Sequence, residues 1–183
     1  MPLGNRPALL LLLLGVLAPG LLLAQTPYLV RDINTTLEWE KGFPSPAALA
    51  TPDGIYYVFD DGRHGPELWR TTSSGASLVR DLCPGLCGSS PRDLAELDGK
   101  VYFFADDGTT GEELWRTDGT PGGTTLVLDR CPGPCPGAGS PMVLAGDALF
   151  FRAPDGNGLE LWTSDGTGVG TRQVADICPG CNA

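Results

Sequence analysis

The sequence predicts an all-β protein built from three copies of one unit, and three observations carry that prediction. The triplet Glu67-Leu68-Trp69 returns as Glu113-Leu114-Trp115 and Glu160-Leu161-Trp162, so the tryptophans stand 46 and 47 residues apart. The flanking segments return in step with it, which marks a structural repeat rather than a chance triplet. Beyond the first 24 residues, no window carries the apolar period of about 3.6 residues that a helix needs.

Taken in order, each unit opens on a Ser-Pro pair, at Ser45-Pro46, Ser90-Pro91 and Ser140-Pro141. An aromatic strand follows: Ile55 to Phe59, Val101 to Phe104, and Ala148 to Phe151. The Glu-Leu-Trp strand comes next, and then a turn, clearest in Asp118-Gly119-Thr120 and Asp165-Gly166-Thr167. The unit closes on an apolar strand ending in Asp, at Leu78–Asp81, Leu126–Asp129 and Gln173–Asp176. In the second unit the four strands fall near Leu94–Leu97, Lys100–Ala105, Glu113–Thr117 and Thr125–Asp129. Asp98-Gly99 joins the first two as a hairpin turn in which both central residues take positive φ. Four strands in a repeat of about 45 residues is the arithmetic of a β-propeller blade.

The unit resembles the ELWxxDGT repeat proteins of bacteria. Gly111 to Thr124 follows the pattern of that family throughout, and Gly158 to Thr171 follows it in the third unit. The first unit departs, with Thr71-Thr72-Ser73-Ser74-Gly75 where the Asp-Gly-Thr turn is expected. The resemblance spans Tyr28 to Cys178. It implies an extracellular, propeller-like array and supplies no catalytic residues.

The amino terminus reads as a secretory signal. Arg6 precedes an apolar run from Ala8 to Leu17, a Pro19-Gly20 break and Leu21-Leu22-Leu23-Ala24. Cleavage is expected after Ala24, leaving residues 25–183 as a single repeat domain, with units at about 28–82, 83–130 and 131–177 and a short Cys-Pro-Gly-Cys tail. The apolar run is shorter than the ~20 residues that span a bilayer, and no later segment is apolar enough to do so. A secreted or cell-surface location follows, with no membrane span once the signal is removed. Loss of Arg6 moves the formal net charge from −10 to −11. Nucleic acid and anionic lipid require clustered Lys and Arg, so neither is an expected partner.

A tryptophan at one register of every repeat is expected to pack between neighbouring blades. Glu67, Glu113 and Glu160 lie two residues before it, on the same strand face, and should meet a backbone amide or an Arg. Spread over three blades, they do not form the close carboxylate pair of glycoside hydrolysis, whose members stand roughly 5–10 Å apart.

The six cysteines, Cys83 and Cys87, Cys131 and Cys135, Cys178 and Cys181, flank Pro-Gly turns. In an exported chain they are expected to close three local disulfides. Redox activity at the last pair would need a helix to depress a thiolate pKa, and none follows. Asp60, Asp61, Asp106 and Asp107 are candidate calcium ligands by their oxygen chemistry. Turn-forming Asp-Gly pairs explain them without a metal, and no other cofactor is indicated. His64, the sole histidine, is expected to be solvated.

Two consequences remain. Closed propellers use about four to eight blades, and three units leave end faces that favour another chain. The strand at Tyr28–Ile33 is surplus to those three units, so either a homo-oligomer completes a six-bladed ring or the chain is a shortened member of a longer family. For function, the expectation is a non-enzymatic binding or adhesion module for glycan or protein. The alternatives are a polysaccharide lyase or glycosidase and a purely structural repeat; an enzyme would need His, Tyr, Arg and carboxylates converging on a channel.

Overall fold

The structure is a computed structural model that describes residues 48–130, 133, 139–154 and 158–175. The signal segment, the Tyr28–Ile33 strand, Ser45-Pro46, Asp176 and four of the cysteines (Cys131, Cys135, Cys178 and Cys181) lie outside the described residues. The described residues form twelve strands and no helix, arranged as three four-stranded antiparallel sheets.

The first sheet holds β1 (Ala48–Thr51), β2 (Gly54–Asp60), β3 (Pro66–Thr72) and β4 (Gly75–Leu78). The second holds β5 (Arg92–Leu97), β6 (Lys100–Asp106), β7 (Glu112–Thr117) and β8 (Thr125–Leu128). The third holds β9 (Gly139–Ala145), β10 (Ala148–Pro154), β11 (Leu159–Ser164) and β12 (Arg172–Ala175). Each is a meander whose spatial order equals its sequence order. β1 lies beside β5 and β5 beside β9, so the first strands of the blades stand side by side. This is an open, propeller-like array of three blades.

Period-two alternation decides which side chain faces which neighbour. On β6, Val101, Phe103 and Ala105 join Trp115 of β7 against Tyr56, Leu68, Val79 and Leu82 of the first blade. The alternate residues Tyr102 and Phe104 join Leu114, Ala95 and Leu97 against Leu149, Phe151 and Ala153 of the third. Phe104 and Phe151 meet edge to face with centroids 5.3 Å apart, the arrangement that aromatic quadrupoles favour. The middle sheet is therefore buried on both faces, and β6 reads as a near-continuous apolar run, Val-Tyr-Phe-Phe-Ala.

Turn chemistry fixes the hairpins. Asp98 and Gly99 take φ of 50° and 71°, the pair of positive angles expected between β5 and β6. Asp93 also has positive φ, 55°, where the pairing of β5 with β6 slips between Arg92 and Ala95. A single residue in that region is the mark of a bulge.

The Asp-Gly-Thr loops are closed by their own side chains. Asp118 Oδ1 accepts bonds from Thr120 N (2.9 Å) and Thr120 Oγ1 (2.7 Å), while Gly123 N donates to Thr120 Oγ1. Thr124 Oγ1 donates to Thr120 O and lies 2.8 Å from Thr117 Oγ1, closing the base of the loop. Asp165, Thr167, Gly170, Thr171 and Ser164 repeat the same network in the third blade. The first blade lacks it. There β3 and β4 pair directly to Thr72 and Gly75, leaving Ser73 and Ser74 as a two-residue turn.

Candidate functional site: the loop edge

Antiparallel meanders divide each blade into two edges. One carries the β1–β2 and β3–β4 turns and their counterparts in the other blades. The opposite edge carries the loops between the second and third strands together with the links from blade to blade. The two loop families touch there. Ser90 N donates to Pro66 O (2.9 Å), and Asp106 N donates to Ser89 O (3.0 Å). The link thus fastens the start of β3 to the end of β6. Gly65 packs so closely on Gly88 that a β-carbon on it would stand 2.8 Å from Gly88 Cα.

Glu67 holds this link from beneath. It has no exposed surface, and its Oε1 accepts bonds from Cys83 N (3.1 Å) and Ser89 N (3.0 Å). Ser89 Oγ donates to Oε2 at 2.5 Å. Burial pushes the Glu67 carboxyl above the usual carboxylate range, and the bonds from Ser89 and Cys83 offset only part of that. Glu113 meets the same need differently. Its Oε2 accepts from Arg130 Nε at 3.0 Å, and both side chains are almost wholly buried. Burial outweighs Arg130 here as well, so the Glu113 carboxyl is also raised. Arg130 stands over the ring of Trp162, 6.0 Å from its centroid, and bridges the second and third blades. Both expected partners of the repeated Glu, amide and Arg, therefore occur, one in each of these two blades. Glu160 is fully buried at the equivalent position.

The repeated tryptophans are interior. Trp69 and Trp115 are buried, and Trp162 packs half-buried against the cluster between the second and third blades. Leu68 and Leu114 are core residues, while Leu161 is half-buried on the outer face of the last blade.

Cys83 and Cys87 form a disulfide with Cα atoms 5.4 Å apart, a span usual for such bridges. It closes a loop on which Leu86 is 76% exposed. Beside it, the loop from Asp60 to Gly65 is shaped by its acids. Asp60 Oδ1 accepts from Gly62 N, and Asp61 Oδ1 accepts from Arg63 N and His64 N. Asp61 Oδ2 lies 2.9 Å from His64 Nδ1. His64 is thus half-buried and paired, and the solvated histidine expected from its glycine-bounded loop is corrected by this contact with Asp61. In the second blade Asp106 caps Gly108 N, and Asp107 Oδ1 accepts from Thr109 N, Thr110 N and Thr110 Oγ1. Burial works against ionisation of Asp61 and Asp107, but those donors prevail and hold both carboxyls below the ordinary range. The four candidate calcium ligands are therefore engaged as turn caps, and among the described residues no group of three or more His, Cys, Asp and Glu is placed to hold a metal ion.

Sequence reasoning missed Arg130, Arg92 and the Tyr-Arg pairs at the blade interfaces. Arg92 bonds to Glu112 and Asp93 and stands 5.3 Å over the Phe104 ring. The Tyr-Arg pairs had a signal, since Tyr56 with Arg70 and Tyr102 with Arg116 recur at one register.

The class defined by this fold is an all-β, propeller-like repeat array. No family model matches the chain, and no curated protein matches it. Among solved structures it is similar to puromycin hydrolase, with 17% identity and a TM-score of 0.44 over 75% of this chain and 22% of that one. A serine-to-alanine mutant of puromycin hydrolase complexed with PGG gives 20% identity and a TM-score of 0.43 over 68% of this chain and 20% of that one. The chain thus spans about a fifth of the length of these structures. Among the described residues no helix is long and apolar enough to cross a membrane.

Proposed function

We propose that the chain is a secreted or cell-surface repeat module of the ELWxxDGT kind, non-enzymatic, whose loop edge binds an extracellular glycan or protein. The observation that carries this reading is the division of labour between the repeat and the loops. Glu67 and Glu113, the acids that recur in every unit, are buried and engaged in holding blade links. Loop residues that differ from unit to unit, such as Arg63 and His64 in the first against Thr109 and Thr110 in the second, stand at the loop edge. There a disulfide-tied loop holds Leu86 into solvent next to the Asp61–His64 pair, with Gly65 packed against the Leu86 carbonyl. An exposed apolar side chain on a fixed loop, flanked by hydrogen-bonding groups, suits a protein surface or the apolar face of a sugar.

The test is a screen of the secreted chain on glycan and protein arrays, repeated with Leu86→Ala and with His64→Ala. The expected result is a bound class whose signal falls in both variants while their melting is unchanged. Absence of any ligand, together with turnover of a polysaccharide by the same preparation, overturns the reading.

A further inference from the structure

The blades are joined by a directional contact. In the first blade Tyr56 of β2 stands opposite Arg70 of β3, and the Arg70 guanidinium lies 5.5 Å from the Tyr56 ring centroid. The Asp-Gly-Thr turn of the second blade seats on this pair. A β-carbon at Gly119 would stand 2.5 Å from both Tyr56 Oη and Arg70 Nη1. The next junction repeats the arrangement. Tyr102 stands opposite Arg116, Arg116 Nη1 donates to Gly166 O at 3.1 Å, and a β-carbon at Gly166 would collide with the Tyr102 hydroxyl. The turn of each blade is a plug, and the Tyr-Arg pair of the blade before it is the socket. The first junction has a second grip, with Arg80 Nη1 donating to Thr124 O at 2.6 Å.

Both halves are absent where a further copy would join. At the socket position of the third blade, Phe150 stands opposite Thr163, so the ring carries no hydroxyl and the cross-strand partner carries no guanidinium. At the plug position of the first blade, Ser73 and Ser74 make a tight turn with none of the Asp-Gly-Thr network. A second copy adding head to tail would bring that first blade onto that third blade. Among the described residues, the junction between that third blade and that first blade therefore lacks plug and socket together, while the two junctions between described blades have both. Phe150 and Thr163 supply neither the phenol nor the guanidinium that receive the glycine at the two inner junctions, and the nearest cross-strand arginine, Arg172, lies one strand farther out on β12.

We infer that the Tyr-Arg pair and the Asp-Gly-Thr turn are the specificity elements of blade docking, and that their paired absence at the two ends stops this chain from assembling head to tail with itself. A six-bladed ring of two copies is disfavoured on this account. The outer face of the third blade does not take another blade of its own kind.

Sedimentation of the secreted chain over a wide concentration range tests this, alongside a grafted chain. The graft carries Phe150→Tyr and Thr163→Arg, and its Thr72–Gly75 turn is replaced by the loop sequence of residues 118–124. The natural chain is expected to stay monomeric and the grafted chain to self-associate with concentration. A second arm guards against misfolding of the graft. Tyr102→Phe with Arg116→Thr copies the end pair into the middle blade and should raise amide exchange across Gly166–Gly170 by about tenfold or more, with β6 unchanged, as expected of a local opening. A natural chain that self-associates through Phe150, a folded graft that stays monomeric, or unchanged exchange at Gly166–Gly170 would each overturn the inference.

Discussion

Gly166 of the third blade lies directly on the hydroxyl of Tyr102 in the second, and its carbonyl accepts a bond from Arg116 beside that tyrosine. No larger residue fits at that point, and the glycine also has φ of 86°, where side chains are strained. Gly166→Ala combines left-handed strain with a collision and is expected to cost about 3 kcal/mol, above the 1–2 kcal/mol typical of strain alone. Gly99→Ala is the control, since Gly99 has φ of 71° but open space around it. Urea denaturation of both variants should show the larger loss at Gly166.

Glu67 gives a pH signature. Its folded carboxyl is raised, chiefly by burial, so the folded protein keeps this proton to higher pH than the unfolded chain. Stability from this group is therefore greatest below the ordinary Glu pKa of about 4.3 and falls as pH rises toward the folded value. Glu67→Gln retains an oxygen for Cys83 N and Ser89 N and can donate to Ser89 Oγ, without that ionisation. Its stability relative to the natural chain should improve from acid to neutral pH. Glu67→Ala orphans three donors and is expected to cost about 3 kcal/mol or more at any pH. Denaturation midpoints at several pH values check both.

Trp115 fills the space between the first and second blades, but its Nε1 has no hydrogen-bond partner among the described residues. Its contribution is therefore volume rather than polarity. Trp115→Ala is expected to cost about 3–5 kcal/mol, whereas Trp115→Phe should cost roughly half of that or less. Trp162 Nε1 donates to Ala153 O at 3.2 Å, so Trp162→Phe additionally loses that hydrogen bond. Thermal melts followed by circular dichroism distinguish the three.

The Cys83–Cys87 bridge encloses a short loop, and chain-entropy reasoning assigns it about 2 kcal/mol. Cys83→Ser with Cys87→Ser should lose that amount. It should also weaken any ligand that depends on Leu86, because the loop that holds this side chain out is no longer closed. Melting and array binding of the double variant read the two effects separately.

Much of this architecture is legible in the residues because it is local. The strands expected in the second unit agree with β5 to β8 within two residues, and Asp98-Gly99 turns as its sequence requires. The alternation of β6 shows which residues are buried. What bonds to Glu67 is not legible, because Cys83 and Ser89 lie 16 and 22 residues on and reach it only through the path of the link. The socket for Gly166 is farther still, since Arg116 bonds across 50 residues of sequence. Its trace is the joint change of Tyr and Arg to Phe150 and Thr163 in the last unit, which acquires meaning only once the cross-strand register pairs those positions.

The central claim is that the Glu-Leu-Trp repeat is interior scaffolding, stacked so that the middle blade is covered on both faces. Hydrogen exchange of the secreted chain tests it most directly. The account predicts the slowest amides on β6 and β7, with β12 exchanging at least about tenfold faster because its residues are largely exposed at the end of the array. Exchange on β6 and β7 as fast as on β12 would contradict it.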